Sequence, residues 1–239
     1  MSLILIQTIV QAVSSTLTWL GFYIGIRGLP DARARKSRWI VGSAVVAAAW
    51  LVGMFLLGAA NVFRNDVLPP RVPMALFATL LLGYLLLLSP TFRQVVAAVP
   101  QHWLIGIQTF RVLGGVFLVR YYAGELPGLF ALPAGIGDVA TGLLALFVAY
   151  AWYSGKPYAR GAAIAWNLFG MADLVDAVAL GTLTGGAGGI VFPIVLIPVY
   201  AVPRAFLIHS YSLIGLLRKT SQQPRRVESL DYGTEAARA

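Results

Sequence analysis

The chain has 239 residues, 59% of them hydrophobic and only 11% charged, less than half the charge of a soluble domain, so it reads as an integral membrane protein. It has no cysteine, which excludes disulfides, thiolate catalysis and cysteine-based zinc or iron–sulfur centres. The net charge of +9 sits in loops flanking apolar runs, a pattern that implies a lipid bilayer as partner and no nucleic acid.

Residues 3–26 form the first apolar run. No Lys or Arg precedes it and Arg27 follows it, so it reads as a retained helix rather than a cleaved signal. Gln7, Gln11, Ser14, Ser15 and Thr18 share one helical face. They read first as interhelical hydrogen-bonding groups and second as the wall of a polar pathway. A dense basic loop, Arg27 to Arg38, leads into a second span over residues 39–62. The next loop is broken by prolines, and Pro73 suits the first turn of a third helix. Phe92, Val95, Val96 and Val99 then share a face, which predicts a short helix lying in the interface.

Four further spans follow: 101–122, 133–152 with Pro133 at its start, 161–183 and 193–217. The glycine-rich loop 182–189 separates the last two and is maximally free in backbone conformation. Pro198 and Pro203 should kink the last helix. The expected fold is thus all-α, a polytopic membrane protein with a seven-helix transmembrane domain over residues 1–217. Residues 218–239 read as a disordered basic cytoplasmic tail. Thirteen of the 18 Lys and Arg fall on one side of such a bundle. That asymmetry places the N-terminus outside and the C-terminus in the cytoplasm, in a bacterial-type inner membrane.

Charged side chains at membrane depth cost several kcal/mol unless paired or hydrated, so they are the candidates for function. At a rise of 1.5 Å per residue, Arg111, Asp173 and Arg204 each lie ~15 Å from the outer face, near the bilayer centre. Asp176 lies ~10 Å deep and Asp138 ~8 Å deep on the same scale. Gln108 shares a face with Arg111, and Tyr200 flanks Arg204 at i,i+4. Arg111 and Arg204 could hold an anion or fix the carboxylates, and the three aspartates could accept protons. The leading expectation is a site that binds or translocates a small solute, an anion or a proton. An accessory subunit in which the charges only fix helix register is another reading.

Gly135, Ile136, Gly137 and Asp138 spell G-x-G-D, which resembles the motif of intramembrane aspartyl proteases such as presenilin and prepilin peptidases. That resemblance implies a hydrolase whose carboxylates, Asp138 and Asp173, share a proton and activate water. The chain departs from that pattern, because its candidate partners follow the motif and no P-A-L element comes after it. Gly135, Asp138, Gly142, Ala145 and Ala149 also form a small-residue stripe suited to close helix packing.

No i,i+4 histidine pair or histidine–carboxylate cluster suits zinc. His102 and His209 fall at different levels, which does not suit a bis-histidine haem. Lys36, Lys156 and Lys219 sit in loops or the tail, which leaves no buried lysine for a retinal Schiff base. No catalytic residue, metal or cofactor is expected, and a non-enzymatic role is favoured. The segments Q-T-F-R (108–111), F-A-L-P-A-G-I-G-D (130–138), W-N-L-F-G-M-A-D-L (166–174) and I-H-S-Y-S-L (208–213) resemble uncharacterised bacterial seven-helix membrane proteins, over roughly the C-terminal 140 residues.

The orientation is tested by reporter fusions. A reporter that works only in the cytoplasm should be active when fused after Lys219, and one placed near residue 67 should behave in the opposite way. The reverse pattern would overturn the assignment.

Overall fold

The computed structural model describes residues 3–31, 33–63, 71–184 and 191–218. Arg64, most of the proline-broken loop, residues 185–190 of the glycine-rich loop and residues 219–239 of the tail lie outside the described residues. Among the described residues the chain is all-helical. It runs α1 (Leu3–Arg27), α2 (Arg33–Ala59), α3 (Arg71–Leu86) and α4 (Pro90–Ala98). Next comes a rod made of α5 (Gln101–Gly106), a 3-10 segment (Ile107–Gly115) and α6 (Val116–Tyr122). The chain continues with α7 (Gly128–Tyr153), α8 (Ala159–Leu183), a π turn (Ile197–Ala201) and α9 (Val202–Leu217).

Among the described residues five helices are long and apolar enough to cross a membrane: α1, α2, the rod Gln101–Tyr122, α7 and α8. The pair α3 and α4 makes a sixth if it is one span, but the two are bent by 94° at their junction. Ser89 explains the break. It caps α4, accepting a hydrogen bond from the Phe92 amide, and Pro90 occupies the first helical position, where its missing N–H costs nothing. The outward surface is apolar. Val41, Val45 and Val46 on α2 and Phe147 on α7 are all exposed, a surface that suits lipid and not water. Several long apolar helices with such a surface are consistent with an integral membrane protein.

The second span begins at Arg33, six residues before its expected start, and takes in most of the basic loop; two further boundaries differ, and both matter for the site. The span predicted to begin at Pro133 begins at Gly128, with Pro133 inside α7. The span predicted over 193–217 is helical without interruption only in α9, because Pro198 and Pro203 each lack the N–H that an α-helix needs. The π turn absorbs that loss: the Val202 amide bonds the Ile197 carbonyl, five residues back.

α7 is the centre of the bundle, packed against both the rod and α8, and its small residues set the spacing. Gly142 lies against the rod backbone, so a Cβ there would come 2.6 Å from the Val112 nitrogen and 3.1 Å from the Thr109 carbonyl oxygen. Ala145 is fully buried, and Ala149 faces Gly106. Gly142→Ala should therefore cost about 1–3 kcal/mol by overpacking, read as a lower melting midpoint in detergent. Gly53→Ala on α2, where a Cβ meets nothing within 4 Å, should leave the midpoint unchanged or raise it.

Candidate functional site: one guanidinium on two carboxylates

The 3-10 segment sits in the middle of the rod. At three residues per turn, side chains at i and i+3 stack in line, and Gln108, Arg111 and Gly114 are all buried along that edge. Gln108 Nε2 donates to the Ala205 carbonyl on α9 at 2.8 Å. Arg111 reaches inward, with its side chain 1% exposed.

Four of the five N–H bonds of Arg111 have partners, drawn from three helices. Its Nε donates to Asp138 on α7 at 2.7 Å, and Nη2 donates to Asp173 on α8. Nη1 donates to the Gly170 carbonyl at 3.0 Å and meets His209 Nε2 on α9 at 3.1 Å. A guanidinium can only donate, so Nε2 is the acceptor and the ring proton sits on Nδ1. Nδ1 donates it to Asn167 Oδ1, at an N···O distance of 3.0 Å. Asn167 Nδ2 in turn donates to the Ala163 carbonyl and to Ser212 Oγ, and Gln101 Nε2 donates to the same hydroxyl. A polar column thus runs from Gln101 to Arg111. Trp166 packs on the imidazole with ring centroids 4.6 Å apart and ties α8 to α7 through the Thr141 carbonyl at 3.0 Å.

Glycines make the room. A Cβ at Gly114 would overlap the Asp138 carboxylate, and one at Gly137 would overlap Asp173. A Cβ at Gly170 would lie 2.5 Å from the His209 ring and 3.0 Å from Arg111 Nη1. The G-x-G-D tetrapeptide therefore has a packing role: Gly137 admits Asp173, while Gly135 sits against Leu118.

The other expected site residues fall elsewhere. Arg204 is not part of the cluster. Its Nη1 and Nη2 donate to Ser15 and Ser14 on α1 at 2.8 and 2.7 Å, and its guanidinium lies over the Phe110 and Tyr200 rings at 4.8 and 4.9 Å. The Tyr200 hydroxyl completes that group with a 2.7 Å hydrogen bond to Ser15. Asp176 is exposed and makes no ion pair among the described residues. The expected offset of ~7 Å between Asp138 and Asp173 rests on a helix start at Pro133; from the observed start at Gly128, Asp138 is also ~15 Å in. Both carboxylates then reach the same arginine.

Sequence reasoning missed His209, Asn167 and Gly170 as parts of this site. A signal existed: Asn167, Gly170 and Asp173 recur at three-residue steps, as do His209 and Ser212, so each set lies along one helix face. Among the described residues, no group of three or more His, Asp or Glu is placed to hold a metal ion.

A cavity of about 30 Å³ opens beside the cluster, with Asp138, Arg111, Gln7, Gln11 and Phe110 among its walls. The family model described as Domain of unknown function (DUF8737) matches residues 69–217. The chain belongs to this family. The matched region holds Arg111, Asp138, Asp173 and His209, whereas Gln7 and Gln11 precede it. No curated protein and no solved structure matches the chain.

Removing one partner from a buried ion pair strands the other charge and costs about 3–5 kcal/mol. Arg111→Met should destabilise the protein by that order in equilibrium unfolding. Adding Asp138→Asn and Asp173→Asn to the same chain should recover a large part of the loss. A triple variant as unstable as Arg111→Met alone would show that the carboxylates are not what the arginine balances.

Proposed function

We propose that this is a multi-pass inner-membrane protein that binds and moves a small cationic species, in the simplest case a proton, at the Arg111–Asp138–Asp173 cluster. One observation carries the reading. A single buried guanidinium faces two carboxylates, so the cluster has a formal charge of −1 when both are ionised. An uncompensated charge at membrane depth is expensive, and a proton or a bound cation removes it. Anion binding would add to the excess charge.

The same reading counts seven crossings, with α3 crossing ahead of an interfacial α4 and with the π turn and α9 forming the last. The N-terminus would lie outside and the C-terminus in the cytoplasm. Hydrolysis is the weaker reading. An aspartyl dyad needs its two carboxylates to share a proton, and here each carboxylate takes a separate N–H of Arg111. An accessory subunit, with the cluster acting only as a register lock, remains the competing explanation, and the experiment separates the two.

Asp173→Asn keeps the side chain's shape and removes its titration. Reconstituted in proteoliposomes with an inward proton gradient, the variant should insert normally and lose flux entirely. Wild-type vesicles that carry no flux above protein-free vesicles would leave the structural role in its place. A variant that retains full flux would remove Asp173 from the path.

A further inference from the structure

Five cations gather where α1 hands over to α2. Arg27 ends α1, and Arg33, Arg35, Lys36 and Arg38 open α2. Asp31 is the one acid among them, so the turn has a net charge of +4. Lys36 Nζ donates to the Arg27 carbonyl at 3.0 Å, which draws the two helix ends together. Asp31 pairs with Arg35 at 3.1 Å. Arg33 and Arg38 are exposed and have no partner among the described residues. A helix start carries the positive end of the backbone dipole and favours acids, yet the first turn of α2 holds none. Helix stability therefore does not account for the four cations that open α2. An anion outside the chain would offset both the side chains and the dipole.

The neighbouring elements define that anion. α4, turned by 94° from α3, packs on the end of α1. A Cβ at Gly25 would lie 2.4 Å from the Val95 carbonyl oxygen, and one at Gly28 would lie 3.4 Å from the Ala98 Cβ. With α3 crossing ahead of an interfacial α4, the turn beside α4 stands at the level of lipid headgroups. Beyond the charges α2 presents bare apolar surface. Arg38, Val41 and Val45 share a face at helical spacing, and Val41, Val45 and Val46 are 60, 61 and 69% exposed. Trp39 is exposed next to Arg38, and an indole suits the boundary between polar and apolar layers. A soluble phosphate would meet the cations and leave that apolar face uncovered, whereas a phospholipid fits both. We propose that the α1–α2 turn, with Arg33 and Arg38 as its free cations, is a docking site for an anionic phospholipid whose acyl chains lie along Val41 and Val45. The proposal rests on the interfacial placement of α4 and is independent of the transport reading.

Binding is read on the full-length protein in detergent micelles by native mass spectrometry, titrating phosphatidylglycerol or phosphatidylcholine with the same acyl chains. Phosphatidylglycerol should bind at least about tenfold more tightly. Each cation at a membrane surface is worth roughly fivefold in affinity for anionic lipid. Arg33→Gln and Arg38→Gln should therefore each weaken phosphatidylglycerol by about that factor and leave phosphatidylcholine unchanged. Lys156→Gln removes the same charge from the exposed turn between α7 and α8 and should change neither lipid. Inorganic phosphate and glycerophosphoglycerol, which lack acyl chains, should not displace the lipid even in large excess. Three results overturn the proposal: a preference below about tenfold, a loss in Lys156→Gln equal to that in the arginine variants, or displacement by either soluble phosphate. Affinity unaltered in the arginine variants does the same. Should those variants fail to fold, Asp31→Asn takes their place. It frees Arg35 and must tighten phosphatidylglycerol by a similar factor, and an unchanged affinity is equally fatal. Proton flux in a protein without the lipid preference sinks this site alone. The preference in a protein that carries no flux sinks translocation and leaves the site.

Discussion

A buried guanidinium must be answered on every side, and that requirement organises this bundle. Arg111 draws one carboxylate from α7, another carboxylate and a carbonyl from α8, and an imidazole from α9. Water solvates such a group at little cost; a hydrocarbon interior does not, so the protein must supply the partners. Lysine could not do the same, because it offers a compact point charge and three donors instead of a planar fork with five. The fork fixes the distances among four segments at once. Ion pairs of this kind contribute little net stability against well-packed apolar alternatives, yet breaking one is costly.

Everything near Arg111 is arranged to let it reach. Three glycines, at positions 114, 137 and 170, remove the side chains that would stand where Asp138, Asp173 and His209 must lie. The 3-10 winding of the rod puts Gln108, Arg111 and Gly114 in one line. The two sides of the clamp differ in kind. Toward Gln101 the column of His209, Asn167 and Ser212 is joined by hydrogen bonds. Its asparagine amide donates to two acceptors and has no proton to relay, so the column positions the imidazole. Toward α1 lie the cavity and the two glutamines whose oxygens have no partner.

Arg204 shows a second way to bury the same group. It has no carboxylate within ion-pair distance among the described residues and rests instead on two serine hydroxyls and two aromatic faces. Its Nε is buried without a partner. Hydroxyl dipoles and ring quadrupoles spread the compensation over several weak terms. The anchoring serines lie one turn beyond Gln11 on α1, so this group holds against α9 the helix that carries the cavity's glutamines.

The sequence by itself determined the membrane character, the helical composition and the identity of the deep charges. Those follow from properties that do not depend on partners: the apolar fraction, the length of the runs and the rarity of charge within them. It also brought Arg111 and Asp173 to one level, because the outer ends of both helices, Tyr122 and Leu183, fall where the apolar runs end. It misplaced Asp138, since proline was read as a start signal and α7 accommodates Pro133 internally, beginning at Gly128. It grouped Arg204 with the carboxylates, because depth along a helix says nothing about which way a side chain faces. Only the tertiary structure decided that Arg111 takes both carboxylates while Arg204 turns to α1, that His209 joins the clamp, and that Gln7 and Gln11 face a shared space. Those choices depend on rotation and spacing between helices, which are set by small-residue contacts such as Gly142 against Val112. The periodicity of a single helix carries no record of them.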